Sequence, residues 1–220
     1  MTRPRSGSTA FAGVAPADRR QEILVACIRV LARRGFARTR ISDIADEIGV
    51  TPPLLLHYFP SKNALITEAL VASDEAYLVE FAEQLRRGER PERLVVRYVE
   101  DSVWPAGPGR EWWAEASAVW MNAWITARHD PSIARVREAE DRRWRAALAD
   151  VVRQGQADGA FSASVDADAL VRTLFAMLDG FMVQIVLDDP AVTRRFAHDE
   201  SLRFLSRELA FDARAFSSRR

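Results

Sequence analysis

Disulfides, metal ligands and nucleotide-binding loops are all missing from this sequence. Its single cysteine, Cys27, can form neither an intramolecular disulfide nor a thiolate zinc cluster, a usage typical of a reducing compartment. The histidines His57, His129 and His198 lack metal-ligand spacing, and there is no P-loop, GxSxG or glycine-rich dinucleotide motif. These absences predict a cytoplasmic protein that is not an enzyme and that binds neither a metal nor a cofactor.

Long apolar runs and strand patterns are missing too. No window approaches the ~20 apolar residues that span a bilayer, and the weakly signal-like N-terminus is interrupted by Gly13 and Pro16. No stretch shows the sustained alternation of apolar and polar residues that a half-buried strand requires. We therefore expect no membrane segment and no sheet.

Apolar residues instead recur at helical spacing. They predict an all-α chain of about nine helices, short ones first, between a flexible arm at 1–16 and a flexible tail at 212–220. The first helix ends at Gly35, and the others are expected at about 41–48, 52–58, 61–87, 91–104, 110–129, 132–157, 167–188 and 199–211.

The three short helices have the layout of a helix-turn-helix motif. Gly49 suits the turn because glycine adopts positive φ without steric cost. Thr51 followed by Pro52 is an N-cap hydroxyl followed by a proline at the first helical position. The recognition helix is then 52–58, although spacing alone is equally typical of an ordinary three-helix bundle.

Local charge favours the DNA-binding interpretation. The chain is neutral, with 31 basic and 31 acidic residues, which taken alone argues against a nucleic-acid partner. Residues 1–62, however, hold ten basic and five acidic residues, a local +5 that the rest of the chain cancels with −5. Because screening limits exposed charges to about 8–10 Å, a phosphate-facing surface needs only this local excess.

The same segment resembles a known family. The signature of the TetR (tetracycline-repressor) family of transcriptional regulators is similar to four runs here: Gly35-Phe36, Thr39 to Ala45, Gly49 to Pro52 and His57 to Leu65. The resemblance covers about residues 17–77. It implies a DNA-binding head at 17–77, with the helix-turn-helix at about 40–59, and an effector-binding and dimerisation body at 78–211. It also implies a ligand-released repressor that binds a near-palindromic operator as a homodimer.

Carried over position by position, the resemblance assigns DNA contacts to eight residues: Arg40 and Ser42 to phosphates, Thr51, Pro53 and Leu54 to bases, and His57, Tyr58 and Lys62 to the backbone. The Tyr58 hydroxyl and the Lys62 ammonium are suitable donors to phosphate oxygens, and Lys62 begins a helix whose N-terminus attracts anions. We expect the Tyr58 ring to be shared with the core.

The recognition helix departs from the family pattern. Members commonly have a small or hydroxyl residue, a leucine and then an aromatic, where this chain has Pro53 followed by three leucines. Leu55 suits the core, whereas Leu54 and Leu56 are compatible with contact to thymine methyls or with packing on neighbouring helices. The operator sequence is therefore not predicted. This apolar helix also favours an alternative function, a helical adaptor that has lost DNA binding.

Tryptophan is concentrated in the second part of the chain. Trp113, Ser117, Trp120, Met121 and Trp124 lie on one side of a predicted helix. Aromatic stripes are usually core, but pockets between helices are also lined by aromatic rings. The stripe is therefore compatible with either a core or an effector pocket.

The body, from about Trp112 to Phe211, resembles more loosely the C-terminal domain of choline-responsive betaine-pathway repressors within the same family. Four runs carry this resemblance: Trp120 to Trp124, His129 to Pro131, Arg142 to Trp144 and Leu178 to Phe181. It implies a small apolar or cationic effector. A quaternary ammonium would lie on tryptophan faces, with Glu115 or Asp179 as the counter-charge.

The last two long helices have wide apolar stripes, and Gly180 permits a close approach. In the family this pair forms a four-helix interface with a second copy, and the stripes favour a dimer over simple closure of the core. The predicted interface residues are Leu174, Leu178, Phe181, Ile185, Leu202 and Leu205.

Overall fold

Nine α-helices and one short 3₁₀ helix, without a strand, make up the described part of the chain, which confirms the all-α prediction. The computed structural model describes residues 19–103 and 112–218, apart from the side chains at 73, 74, 76, 77, 112–116, 118 and 119. The predicted arm at 1–16 lies outside these residues. The elements are α1 (Arg19–Arg38), α2 (Ile41–Glu47), α3 (Pro52–Tyr58), α4 (Lys62–Arg86), α5 (Pro91–Val103), α6 (Trp112–Ala127), α7 (Pro131–Ala157), α8 (Ala167–Val186), α9 (Arg194–Leu209) and the 3₁₀ helix (Ala213–Phe216).

Glycines shape both turns of the helix-turn-helix region. Gly35 interrupts the helical backbone of α1 with φ 72° and ψ 167°, and Phe36 then folds back into the core. Gly49 has φ 69° in the turn between α2 and α3, where the Val50 N–H donates to the Ala45 carbonyl at 3.0 Å. Both positive φ values lie where the sequence predicts helix ends.

The caps of α3 and α4 differ from each other. Thr51 stands at the N-cap of α3, but its hydroxyl makes no capping hydrogen bond, so that prediction is wrong. The backbone closes the turn instead, because the Leu54 N–H donates to the Thr51 carbonyl at 3.0 Å. The Ser61 hydroxyl does cap α4 as predicted, accepting from the Ala64 N–H at 3.1 Å.

The described side chains form two cores, one in the head and one in the body. The head core also takes in Ala123 of α6 and Ile133 of α7, both buried. Gly35 approaches α6 so closely that an added Cβ would lie 3.1 Å from Asn122 Oδ1. Head and body are therefore joined along α6 and α7 as well as through α4, a contact that the sequence did not predict.

The predicted start of the last helix at about 199 is wrong. Helix α9 begins at Arg194, because the Thr193 hydroxyl accepts from the Phe196 N–H at 3.1 Å and caps the helix there. The earlier start adds a turn with the buried residues Ala197 and His198.

The end of the chain also differs from the predicted flexible tail. Ala213 is buried, and Phe216 lies under the Arg90 guanidinium with 4.7 Å from the carbon to the ring centroid. The Ser217 and Ser218 hydroxyls donate to the Glu100 carboxylate at 2.7 and 2.8 Å. Because Glu100 is buried, its charge needs such donors, and they hold the segment on the body as far as Ser218.

Helix α8 is the one helix among the described residues that is long and apolar enough to cross a membrane by length and composition, with a mean hydropathy of 1.6. One side carries the buried residues Leu170, Leu174 and Leu178. Buried core helices of proteins that do not cross a membrane can have the same length and apolar composition. Only 22% of the apolar window is buried, so α8 is a core helix on one side and an uncovered apolar surface on the other.

Candidate DNA and effector sites

The recognition helix α3 buries one side and leaves the other in solvent. Leu55 is fully buried, and so is Phe59 just after the helix. Of the predicted base and backbone contacts, Thr51, Pro53 and His57 are exposed, and Leu54 and Tyr58 are half-buried. Leu56, whose placement the sequence left open, is 47% exposed. The outer face of α3 is therefore available to DNA and mostly apolar.

Helix α2 presents its first turn to solvent. Arg40 and Ser42 are exposed, and the Arg40 guanidinium makes no ion pair with any described residue. The backbone N–H of Arg40 donates to Asp43 Oδ2 at 2.8 Å, and this bond caps the N-terminus of α2. Arg34 and Arg33 of α1 pair with Asp43 and Glu47 of α2, at 2.8 and 2.5 Å. Part of the head's positive charge is thus used to orient α2, whereas the exposed Arg40 guanidinium keeps its charge free of these ion pairs.

Lys62 has a structural partner that the sequence did not indicate. Its Nζ donates to the Phe36 carbonyl at 2.8 Å, across 26 positions of the chain. That carbonyl lies just beyond Gly35, where regular helical bonding is interrupted. Lys62 therefore ties the start of α4 to the end of α1, so its role in the head is structural whether or not it also contacts a phosphate.

Replacing Lys62 with methionine is expected to lower the free energy of unfolding by about 1–2 kcal/mol, because the Phe36 carbonyl loses a charged donor. Thermal unfolding followed by circular dichroism measures this loss, and Arg40→Met, which removes an exposed cation of the same region that makes no ion pair with a described residue, is the control. An unfolding curve for Lys62→Met that matched the wild type would show that the hydrogen bond contributes nothing.

The predicted tryptophan stripe of α6 is divided between different surroundings. Trp120 packs against the head core, and Ser117 is buried. Met121 and Trp124 are half-buried. The side chain of Trp113, like that of Glu115, lies outside the described residues. Trp120 therefore contributes to the junction between α6 and the head, and its predicted contact with an effector stays a prediction.

Four rings of the body form a connected aromatic cluster that the sequence did not single out. Its members come from four helices: Phe81 of α4, Tyr98 of α5, Trp144 of α7 and Phe175 of α8. Tyr98 stacks on Phe175 with centroids 5.5 Å apart and lies 5.7 Å from Trp144. Phe81 lies 5.9 Å from Trp144. Helical periodicity does not reveal this set, because each of the four helices contributes only one ring.

Two carboxylates lie beside the aromatic cluster. Asp141 is three positions before Trp144 on α7, and Asp179 is four positions after Phe175 on α8, so each shares a helix side with a ring. Asp141 pairs with Arg137 at 2.5 Å. Asp179 makes no hydrogen bond or ion pair with any described residue, so it is the carboxylate that remains available to a ligand.

The environment of Asp179 disfavours its charge. Burial of the carboxylate raises the pKa of Asp179 to about 6, and the neighbouring Asp141 carboxylate adds to the effect against Arg145 and Arg137. Burial likewise raises the pKa of Asp141, opposed by the same arginines. Asp179 is nevertheless an exposed residue when its whole surface is considered. An accessible carboxylate whose charge is poorly solvated favours a cationic ligand.

A surface groove of about 290 Å³ runs along the other part of the α7–α8 contact. Its lining combines three guanidinium groups, from Arg142, Arg145 and Arg172, with the carboxylates of Glu138 and Asp168 and the small apolar side chains of Ala146 and Val171. No aromatic ring lines it, so the groove lacks the aromatic faces that attract a quaternary ammonium.

The predicted dimer residues do not lie on an uncovered surface. Leu174, Leu178, Leu202 and Leu205 are buried in the body core, and Phe181 and Ile185 pack against it. The side of α8 opposite the core is a row of small or apolar residues that continues one position past the helix: Ala169, Thr173 and Ala176, which are exposed, Gly180 and Val183, which are half-buried, and Leu187, which is exposed at the C-cap. Helical periodicity identified the stripe of large residues, which is the core side, while the small residues opposite gave a weak signal.

An exposed recognition helix behind a glycine turn, carried on a helical body with its own core, defines a helix-turn-helix DNA-binding protein. Two family profiles match the chain: bacterial regulatory proteins of the tetR family over residues 23–69, and the C-terminal domain of BetI-type transcriptional repressors over residues 91–210. The chain therefore belongs to the TetR family of transcriptional regulators and carries a BetI-type C-terminal domain.

Individual relatives agree with this assignment. The HTH-type transcriptional regulator BetI 2 of Chromohalobacter salexigens is 25% identical over 189 residues, 82% of this chain and 85% of that protein. BetI of Brucella canis is 25% identical over 173 residues, covering 77% and 80%. These are relatives of similar length, and they match head and body together.

Solved structures support the fold. A transcriptional regulator from Saccharomonospora viridis, crystallised with choline, has a TM-score of 0.74 and 27% identity over 86% of this chain and 96% of that one. A TetR-family regulator from a Rhodococcus species has a TM-score of 0.74 and 21% identity over 87% and 98%. The second likeness concerns the fold alone.

Proposed function

We propose that this regulator is a homodimeric repressor that binds a near-palindromic operator in the cytoplasm and is released by a small cationic effector. The observation that carries the proposal is the unpaired Asp179 carboxylate beside a cluster of aromatic rings, in a body whose helix α6 packs on the DNA-binding head. The head supplies the DNA contacts, and the body supplies the signal.

The chemistry of the site favours a quaternary ammonium or a similar compact cation. Aromatic faces attract such a group through their quadrupole, and a poorly solvated carboxylate gains from a positive partner. Tyr98, Trp144 and Phe175 supply the rings, and Asp179 supplies the charge. The choline found in the Saccharomonospora viridis regulator is a ligand of this class.

The uncovered row on α8 supports the dimer. Its residues are small, so a second helix can approach closely, and Gly180 has open space where a side chain would be. A helical glycine costs about 1 kcal/mol relative to alanine, and nothing within the single chain requires glycine here. Binding of both half-sites requires that the dimer hold its two recognition helices about 34–36 Å apart, one turn of DNA.

Effector binding reaches the head through α6 as well as α4. Helix α6 contacts α7 and α8 on the body side and α1 on the head side, and Trp120 and Asn122 lie at the head contact. A shift of α6 therefore moves α1 and changes the separation of the two recognition helices. The effector can shift this equilibrium only by its differential affinity for the two arrangements, commonly about 1–3 kcal/mol.

Fluorescence anisotropy with DNA from upstream of the chain's own gene tests the proposal. We expect salt-sensitive, sequence-selective binding by the full chain, weakened about 5- to 150-fold by saturating choline. Absence of selective binding by a folded dimer would contradict the repressor function and favour the adaptor. Tight choline binding with unchanged operator affinity would contradict release by the effector.

The charge of Asp179 gives the effector site a pH dependence. The carboxylate pKa is about 6 in the folded chain, raised from an ordinary value of 3.8. A raised carboxylate pKa means that the ionised form destabilises the fold fully above about pH 6; this cost decreases as the pH falls below 6 and is gone only below the ordinary value of 3.8. A cation needs that ionised form, so choline affinity should fall about tenfold between pH 7.5 and pH 5.

Asp179→Asn should bind choline about tenfold more weakly at pH 7.5 and show little further loss at pH 5, as measured by isothermal titration calorimetry. Asp188→Asn removes an exposed charge at the end of the same helix and should behave as the wild type. An unaltered pH profile in Asp179→Asn would place the cation site elsewhere.

A further inference from the structure

Leu56 is the one large apolar side chain that is exposed among the described side chains of the head, at 47%. It lies in the recognition helix one turn after Pro53, and other side chains fill the core on the inner side of this helix. Leu55 and Phe59 are buried on the inner side, at 0% and 1% exposed. Packing within the chain therefore leaves about half of Leu56 uncovered, which favours the second of the two interpretations that the sequence allowed, contact with DNA.

The groups around Leu56 limit what α3 can recognise. Its exposed neighbours are Thr51, Pro53 and His57, and the helix has no arginine, lysine, asparagine or glutamine. Those four side chains make the bidentate hydrogen bonds that distinguish guanine or adenine in the major groove. Without them, α3 has few polar means of reading a base edge.

Charge at the edge of this apolar surface identifies the occupant. Arg40, whose guanidinium makes no ion pair with a described residue, and the exposed Ser42 lie at the start of α2, the helix that contacts α3; the family resemblance assigns phosphate contacts to both. An apolar centre with phosphate donors at its edge is complementary to the major groove at thymine, whose 5-methyl group is the apolar feature of that groove. A lipid or protein partner would not require this arrangement.

We infer that Leu56, assisted by the half-exposed edge of Leu54, reads thymine 5-methyl groups in each operator half-site. The inference rests on the proposed operator binding and specifies its chemistry. Loss of one buried methyl corresponds to about fourfold in affinity. Removal of the contacted methyl from both half-sites should therefore weaken binding about fifteenfold.

Deoxyuridine provides the test, because it lacks only the 5-methyl group of thymine and keeps every hydrogen-bonding atom. The full-length protein is first used to select an operator from random DNA. That operator is then resynthesised with deoxyuridine in place of a single thymine, one position at a time. The wild type should lose about fourfold in affinity at one or two positions per half-site. Leu56→Ala should bind the thymine and deoxyuridine operators equally at those positions.

A matched variant separates this contact from general effects. Val79→Ala truncates another exposed apolar side chain, 50% exposed on α4, and should keep the full sensitivity to deoxyuridine. Circular dichroism confirms that Leu56→Ala is folded. Because any change in DNA shape affects all three proteins alike, only the difference between wild type and Leu56→Ala reports the methyl contact.

Each outcome is decisive. Selective binding with no deoxyuridine position that distinguishes wild type from Leu56→Ala would overturn the thymine contact and leave the repressor function intact. Failure of the folded dimer to select any DNA would overturn both. Self-association without DNA that Leu56→Ala abolishes, together with equal binding of thymine and deoxyuridine operators, would assign the surface to a second copy of the chain.

Discussion

Gly180→Leu is expected to convert the proposed dimer to monomers and to weaken operator binding by about 100-fold or more. Two linked heads gain a factor of about 10²–10⁴ over a single head through their effective concentration on the DNA. Leucine at the centre of the uncovered α8 row would hold the two helices apart. Within the single chain the backbone has room for the new side chain to begin, since an added Cβ at Gly180 meets nothing within 4 Å.

Size-exclusion chromatography with light scattering measures the oligomeric state, and anisotropy measures the operator affinity. Gly180→Ala is the matched control: its small side chain should preserve the dimer and raise the helix stability by up to about 1 kcal/mol. A Gly180→Leu protein that remains dimeric at micromolar concentration would show that the α8 row is not the interface. Monomers that still bind the operator tightly would contradict the paired-head arrangement.

Gly155→Ala is expected to destabilise the fold by about 3 kcal/mol; among the described glycines, it is the one where an added Cβ comes closer than 3.0 Å to another atom. An added Cβ would overlap the ring of Phe161, a buried side chain that lies 5.0 Å from Phe211 between centroids. The ring cannot move away easily, because the Ala160 and Phe161 N–H groups both donate to the Gly155 carbonyl, at 2.8 and 3.0 Å. Overpacking of this kind costs about 1–3 kcal/mol and sometimes more.

The melting temperature should fall by about 6–12 °C, given about 2–4 °C per kcal/mol for a chain of this size. Gly49→Ala is the control, because its positive φ of 69° is strained for alanine but the added Cβ meets nothing within 4 Å, a cost of about 1 kcal/mol. In a double-mutant cycle, Phe161→Ala should remove most of the effect of Gly155→Ala. Additive losses would show that the ring is not the cause.

Local features of this fold were predictable from the sequence because they depend on neighbouring residues. Gly35 and Gly49 end helices where positive φ is needed, and Ser61 caps α4. The start of α9 was missed by five positions although Thr193 is a good cap, because the apolar pattern of that turn is weak. Thr51 differs from Thr193: it stands at a cap position, as predicted, but its hydroxyl makes no capping hydrogen bond.

The proposed effector site could not be predicted in the same way. The sequence named Asp179, with Glu115 as the alternative, as the counter-charge for a quaternary ammonium. Its partners were not, since Tyr98, Trp144 and Phe175 come from three different helices and only their packing brings them together. The tryptophans of α6 were the more obvious candidates, yet Trp120 proved to belong to the contact with the head.

The sequence by itself determined the helices, the helix-turn-helix and the family, because propensity, capping and motif spacing act over a few residues. Only the tertiary structure decided what each helix face contacts. It placed Leu174 and Leu178 in the core and Gly180 on the surface, joined Lys62 to the Phe36 carbonyl, and left Leu56 exposed. The physical reason is that an apolar stripe shows that a face is buried, whereas the element that buries it is set by contacts between residues far apart in the chain.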